Sequence, residues 1–247
     1  MKVSGVCESS VLFAGSLGVV SKTLSNFSGF SVVSKLLLLR RKSLVSYMEC
    51  IHGCGIEYCK NHSFPSIITS LPDMSEVDME EQDYISFLRT TIPIILSSVE
   101  PKGYAIFIQT DRKHKGLIDK SYYLTESAYA LGMRMMFHKI CLIRDVDSND
   151  KYKPTYSHIL CYSLKGTPGG STPDIFHRGD TLYKHGMGTI ACTKCLEFLQ
   201  KHKISHVCDP FVGQGTTLIL AKQLGFTGVG IDIDETQIEK CRKNIVS

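Results

Sequence analysis

Residues 204–233 read ISHVCDPFVGQGTTLILAKQLGFTGVGIDI. An apolar run, Ile204 to Cys208, ends in Asp209-Pro210. A glycine turn follows, Gly213-Gln214-Gly215. Thr216 to Leu224 has the composition and period of a helix, and Gly225 stands where a C-cap belongs. A second apolar run, Phe226 to Ile231, ends at Asp232. The order is strand, glycine loop, helix, strand, with an acid at the second strand's tip. Such a unit suits a nucleoside. Glycines let the backbone approach a ligand with no Cβ in the way. The first turn of the helix offers unpaired N–H groups. A carboxylate at the next strand's tip can accept both ribose hydroxyls. Asp232 lies nineteen residues past Gly213, close to the spacing this geometry needs.

Two cofactor classes compete for that unit. A dinucleotide site uses G-x-G-x-x-G, its third glycine allowing close helix packing. This chain has Gly213, Gly215 and then Leu218. Asp209 adds a carboxylate on the same side. A negative group there repels a pyrophosphate and suits the ammonium of S-adenosylmethionine, so the methyl donor is preferred over a nicotinamide.

DPFVGQGTT, residues 209–217, resembles the DPF-x-G-S-G-T-T signature of amino-methyltransferases that act on DNA bases, with Gln214 in place of the usual Ser. GVGIDIDETQIEKCRKNI resembles the segment that follows it in those enzymes. The resemblance implies S-adenosylmethionine as cofactor. It assigns Asp209, Pro210, Phe211, Gly213, Gly215 and Thr216 to the donor pocket and Asp232 to the ribose. It also implies a topology. Only fifteen residues follow Asp232, enough for one helix, Thr236 to Asn244. The other strands of a doubly wound sheet must come from upstream, as in the permuted members of that family.

The upstream sequence fits that order from Cys50 onward. A short strand, a turn at Gly53, a helix Gly55 to Asn61 and a strand Ser66 to Thr69 lead into Ser70-Leu71-Pro72-Asp73. Family members have G-D-A, a helix, and a strand ending in D-P-P-Y or S-P-P-Y. By resemblance His52-Gly53-Cys54 line the adenine pocket, and Ser70, Leu71, Pro72 and Asp73 form the catalytic loop. Glu80 to Ser98 is helical, with a kink or break expected at Pro93. Pro101-Lys102-Gly103 turns into a strand, Tyr104 to Gln109. Thr125 to Leu131 is a helix. Met135 to Arg144 and Ser157 to Leu164 are apolar strands of a hairpin, and HILCYSLKG resembles the family's H-I-L-x-F-x-K-G strand. Gly188 to Gln200 is a helix at the place where the family closes the methionine end of the pocket, which puts Thr189 among the donor contacts. Lys165 to Lys184 is the long irregular stretch. The implied fold is α/β: a Rossmann-like, doubly wound, mostly parallel sheet with a C-terminal antiparallel hairpin in the sheet, in permuted methyltransferase topology.

The loop departs from the family where the chemistry lies. Methyl transfer to an exocyclic amine is an in-line displacement by a poor nucleophile. The family loop accepts both amine protons, on a Ser or Asp side chain and on a backbone carbonyl, and its last aromatic stacks on the flipped base. Here Ser70 supplies one acceptor and the Leu71 carbonyl the other, but Asp73 replaces the aromatic. Cys54 likewise replaces an acid. Asp73 has two readings: a proton acceptor or hydrogen-bond partner for the substrate, or the first residue of a capping box with Glu76. Ser75 is a second candidate cap.

Composition bounds the rest. The chain has 247 residues, 43% of them apolar, and a formal net charge of +4. One α/β domain of ordinary size accounts for that length. No apolar run approaches the roughly 18 to 20 residues that cross a bilayer. Residues 1–47 form a distinct segment with eleven serines, six Lys or Arg and one acid, Glu8. That composition fits a mitochondrial or plastid transit peptide. An untranslated leader ahead of a start at Met48 and a structured extension are the alternatives. Without it the core, 48–247, sits near −1, so a nucleic acid would meet a local basic patch and not a global field. Ten cysteines at irregular spacing read as buried free thiols of a reducing compartment. Cys192 and Cys195 read as structural thiols before half of a zinc site, and no metal is expected. Arg112-Lys113-His114-Lys115 is either a phosphate contact or a solvated loop.

The sequence therefore points to an S-adenosylmethionine-dependent methyltransferase acting on a base amine, RNA preferred over DNA. It would be intracellular: organellar with a transit peptide, cytoplasmic or nuclear without one. A homodimer or partner subunit fits the family, and no membrane contact is expected. Three alternatives stay open: a small-molecule or protein methyltransferase, a non-catalytic binding subunit, and a nicotinamide oxidoreductase.

Overall fold

The computed structural model describes residues 47–113, 117–149, 154–170 and 172–246. Almost all of the basic N-terminal segment, and His114 and Lys115 of the basic cluster, lie outside the described residues. Among the described residues, ten strands and six helices follow in order: β1 (Met48–His52), α1 (Gly55–Asn61), β2 (Phe64–Thr69), α2 (Glu81–Ser97), β3 (Val99–Gln109), β4 (Arg112–Lys113), β5 (Leu117–Ile118), α3 (Lys120–Ala130), β6 (Arg134–Leu142), β7 (Tyr156–Ser163), β8 (Ile175–His177), α4 (Thr189–Lys201), β9 (His206–Asp209), α5 (Thr216–Gln223), β10 (Thr227–Asp232) and α6 (Glu235–Val246).

Eight strands form one sheet in the order β1-β10-β9-β2-β3-β7-β6-β8. Neighbours pair parallel from β1 through β3, β7 runs antiparallel to β3 and β6, and β8 is parallel to β6. The expected hairpin is β6–β7; in the permuted order it falls at mid-chain. β4 and β5 make a separate small ribbon.

Strand periodicity explains the double winding. Alternate residues point to opposite faces. Ile68, Ile106 and Ile159 pack with Leu196 of α4, Leu218 of α5 and Ile238 of α6. Ile67, Phe107 and Leu160, one residue out of step, pack with Cys59 of α1, Leu88 of α2 and Leu124 of α3. Each such buried aliphatic contributes roughly 1.5–3 kcal/mol. A strand buried on both faces reads as a continuous apolar run, as ILCY does in β7.

Four local expectations change. α2 runs unbroken through Pro93. Pro101–Gly103 do not precede β3 but lie within it: Phe64 pairs with Val99 and Ser66 with Tyr104, so the extra residues bulge against β2. α3 starts at Lys120, well before Thr125, because the Asp119 carboxylate accepts the Tyr122 N–H at 2.8 Å. The irregular stretch 165–184 contributes β8 to the sheet edge. Gly225 does end α5, in the left-handed region at φ +79° with its N–H on the Lys222 carbonyl.

Candidate active site

The chain leaves β9 toward β10 through α5, on one face of the sheet. It leaves β2 toward β3 through α2, on the other. Adjacent parallel strands whose connections diverge open a crevice at their carboxyl ends. The glycine loop follows β9 and the Ser70–Asp73 loop follows β2, so both sequence-predicted loops meet at that crevice.

On the β9 side, Gly213 donates its N–H to Asp232 Oδ2 at 2.9 Å, and Asp234 donates to Asp232 Oδ1 at 2.9 Å. Asp232 is half-buried at the tip of β10. Its two oxygens keep lone pairs beyond these contacts. Gly213 has φ +53°, and a Cβ there would meet nothing within 4 Å, so the space above the loop is open. Gly215 has φ +96°, and a Cβ would come within 2.8 Å of Cys241 Sγ. His52 pairs in register with Asp232, and its Nε2 lies 3.1 Å from the Ile233 carbonyl. Cys54 is exposed at the start of α1. Gly55, next to it, is packed on the Pro210 carbonyl, where a Cβ would fall 1.9 Å from the oxygen. Phe211 packs against the α1–α3 core.

Three donor-pocket assignments take a different form in the structure. Asp209 is fully buried. Its Oδ1 accepts from Thr69 Oγ1 at 2.7 Å and from Phe211 N–H at 3.2 Å, and its Oδ2 accepts from Thr217 Oγ1 at 2.7 Å. It therefore stitches β2, the glycine loop and α5 together and presents no exposed oxygen to an ammonium. Burial pushes its carboxyl up to about 6, against the three donors that favour the charged form. Thr216 opens α5, and its N–H donates to the Tyr183 hydroxyl at 2.9 Å. Its own Oγ1 is buried with no partner among the described residues. Thr189 sits at the start of α4 with its side chain against Gly179, while the neighbouring Gly188 and Ala191 line the cavity described next.

On the β2 side a cavity of about 650 Å³ opens between the Ser70–Glu76 segment, the end of β3, the end of β6 and the segment 178–188. Ser70, Leu71 and Asp73 line it. Gln109, buried in β3, clamps the Leu71 peptide. Its Oε1 accepts the Leu71 N–H at 2.8 Å, and its Nε2 lies 3.5 Å from the Leu71 carbonyl. Tyr84 donates its hydroxyl to the Pro72 carbonyl at 2.8 Å. The Leu71 carbonyl, expected to accept an amine proton, is thus turned to Gln109, and Leu71 is only 2% exposed. The polar groups this loop offers are the half-buried Ser70 hydroxyl and the Asp73 carboxylate.

Asp73 is not a helix cap. Its carboxylate pairs with the Lys120 ammonium, which is wholly buried, while the Asp73 side chain is 48% exposed. Glu76 instead accepts the Asp73 N–H at 2.7 Å, so the capping-box geometry closes from one side only, and on a turn. Asp111 fixes the other end of Lys120. Its Oδ1 accepts the Lys120 N–H at 2.9 Å, and its Oδ2 lies 2.9 Å from His158 Nε2. His158 Nδ1 lies 2.7 Å from His138 Nε2. An ionised Asp111 can only accept, so His158 Nε2–H donates to it. Burial works to raise the Asp111 carboxyl, but the His158 hydrogen bond and charge and the two backbone donors outweigh it and hold it below the usual range.

None of Gln109, Lys120, Asp111, His158 and Tyr183 was singled out from the sequence. Gln109 closes a recognised strand, and Asp119 marked the start of α3, so a polar strand end beside a capped helix was the available signal. Nothing local marks Lys120 as buried. Cys192 and Cys195 lie in the core, their thiols raised by burial, that of Cys192 to about 12. No helix among the described residues is long and apolar enough to cross a membrane. The side chains of the Arg112–Lys115 cluster lie outside the described residues.

No family model and no curated protein matches the chain. Solved structures do. The chain is similar to PvuII DNA methyltransferase (cytosine-N4-specific), with TM-score 0.64 and 13% identity over 82% of this chain and 88% of that one. It is similar to M1.HpyAVI in complex with SAM, with TM-score 0.61 and 17% identity over 80% and 98%. TTHA0409 of Thermus thermophilus, a candidate DNA modification methylase complexed with S-adenosyl-L-methionine, gives TM-score 0.61 and 14% identity over 81% and 95%. At these identities the likeness shows the fold.

Proposed function

We propose that the chain is an S-adenosylmethionine-dependent methyltransferase whose acceptor is an exocyclic amine of a nucleic-acid base. One observation carries the reading. At the crevice between β9 and β2, an open glycine loop tied to Asp232 lies beside a loop that lines the cavity with the Ser70 hydroxyl and the Asp73 carboxylate, the latter half-exposed and paired with Lys120. The first half fits the adenosyl part of the donor: Gly213 leaves room, and Asp232 has lone pairs for ribose hydroxyls. His52 and Cys54 flank that place. The second half fits an amine that loses one proton as it takes the methyl group from the sulfonium, with Ser70 and Asp73 as hydrogen-bond acceptors for the amine. When bound, the donor supplies an electrophilic sulfonium methyl. The chain's part is to align the amine with it and to hold both components in a site that its loops keep rigid.

The fold neighbours whose names give a substrate name DNA, and one is cytosine-N4-specific. They lend RNA no support, so DNA is the polymer to test first. The reading predicts that Asp232→Ala weakens S-adenosylmethionine binding at least about tenfold, the loss of one charge-assisted hydrogen bond to a ribose hydroxyl. Titration calorimetry on the folded variant checks it. Unchanged affinity would remove the ribose assignment.

A further inference from the structure

The cavity beside the Ser70–Asp73 loop has two chemically different walls. One carries Asp73 and Asp111, each already matched to its own partner, Lys120 and His158. The other carries Arg144, Arg178 and His185. Arg144 is already engaged within the protein. Arg178 is different. Its backbone is held on both sides: its N–H donates to the Leu142 carbonyl at the end of β6, and its carbonyl accepts the Ile190 and Ala191 N–H groups at the start of α4. Gly188 packs so closely that a Cβ there would fall 2.3 Å from the Arg178 carbonyl oxygen. Yet the half-buried guanidinium makes no hydrogen bond or ion pair among the described residues. A cationic side chain on a fixed backbone, lining a cavity with its charge unmatched among the described residues, is an arrangement that suits an anion.

His185 adds to it. Its φ of +67° is in the left-handed region, a costly setting for a residue with a Cβ, and this places it on the cavity wall next to Gly186. The same segment touches the donor side, where the Tyr183 hydroxyl meets the first amide of α5. The cavity's 650 Å³ is in the range that takes a nucleotide-sized ligand.

We infer that Arg178, with His185, holds a phosphate of the methyl acceptor while its base amine reaches Ser70 and Asp73. This rests on the base-amine reading, in which phosphate is the acceptor's negative charge. The phosphate is that of a free nucleotide or a link in a polynucleotide.

The test uses the full chain saturated with S-adenosylhomocysteine, so that adenosine-like probes find the donor pocket filled. Calorimetry compares adenosine with AMP and cytidine with CMP, and then the dinucleoside monophosphates ApA and CpC. At least one phosphate-bearing probe binds about tenfold tighter than its nucleoside. Arg178→Gln reduces that preference below about threefold, and Arg178→Lys keeps part of it. His185→Gln reduces it less. Preference for AMP or CMP alone identifies a free nucleotide; preference for ApA or CpC identifies a polymer link; either supports the site. Equal affinity for nucleosides and phosphates, no binding of any probe, or a preference untouched by Arg178→Gln overturns it. The S-adenosylhomocysteine titration separates the two readings. If it binds and the phosphate preference is absent, this inference alone falls. If it does not bind, the methyltransferase reading falls and takes this one with it.

Discussion

Asp209→Ala is expected to destabilise the protein by about 3–5 kcal/mol. The substitution strands the Thr69 and Thr217 hydroxyls and the Phe211 N–H, each of which donates to that carboxylate in the fully buried junction of β2, β9 and α5. Each stranded buried donor costs about 1–3 kcal/mol, offset in part because a buried carboxylate is no longer desolvated. Against a total stability of about 5–15 kcal/mol, that loss brings the chain near its unfolding threshold. Asp209→Asn keeps one acceptor oxygen, enough for the Thr69 and Phe211 donors, and turns an NH2 to the Thr217 hydroxyl, which can accept; it is milder. It also isolates the ionisation. The folded carboxyl titrates at about 6, against 3.8 for the free group. Between those values the folded chain binds more protons than the unfolded one, so this group's contribution to stability falls as pH rises and is flat above about 6. The total fall is about 3 kcal/mol. Urea unfolding at pH 4.5 and 7.5 should therefore show Asp209→Asn gaining on the parent by about 2 kcal/mol at the higher pH. A constant difference between the two would mean that the carboxylate is not held in a desolvated site.

The second large effect concerns the ion pair beneath the candidate catalytic loop. Lys120 is buried and Asp73 is half-exposed, so the two halves of the pair are not equivalent. Asp73→Ala leaves an ammonium inside the protein with no carboxylate and should cost about 2–4 kcal/mol. Lys120→Met leaves a carboxylate that water can reach and should cost about 1 kcal/mol or less. The double variant should lie close to Lys120→Met alone, since the stranded charge is gone. Denaturant unfolding of the four proteins of this cycle measures the asymmetry. Equal costs for the two single changes would contradict the burial of Lys120.

Much of this was legible in the chain. Residues 204–233 carry their own pattern: a glycine turn, a helix closed by Gly225, and an acid at a strand tip are local devices, and each appears where its chemistry put it. Strands buried on both faces read as apolar runs, so β2, β3, β6, β7, β9 and β10 were visible with their order. The brief β8 was not, because three residues at a sheet edge leave no period to read. At Pro93 the local rule offered a kink or a break, and α2 runs on without the break. The site was legible in its loops but not in its supports. Asp209 reads as a ligand group because it begins a recognisable motif, and only the packing shows that Thr69 and Thr217 consume it. Lys120 and Gln109 draw their roles from partners 47 and 38 residues away, and Arg178 from a backbone fixed at Leu142 and a guanidinium with no partner among the described residues. Such information is absent from any window of sequence.

Methyl transfer to a base amine is tested by incubating the full chain with methyl-labelled S-adenosylmethionine and separate pools of DNA, RNA and protein, followed by nucleoside analysis of any labelled polymer. Label is expected in a nucleic acid, on an exocyclic amine, and is lost when Ser70→Ala and Asp73→Asn are combined in a chain that still binds the donor. Label confined to protein, or transfer that survives the double change, would contradict the base-amine reading.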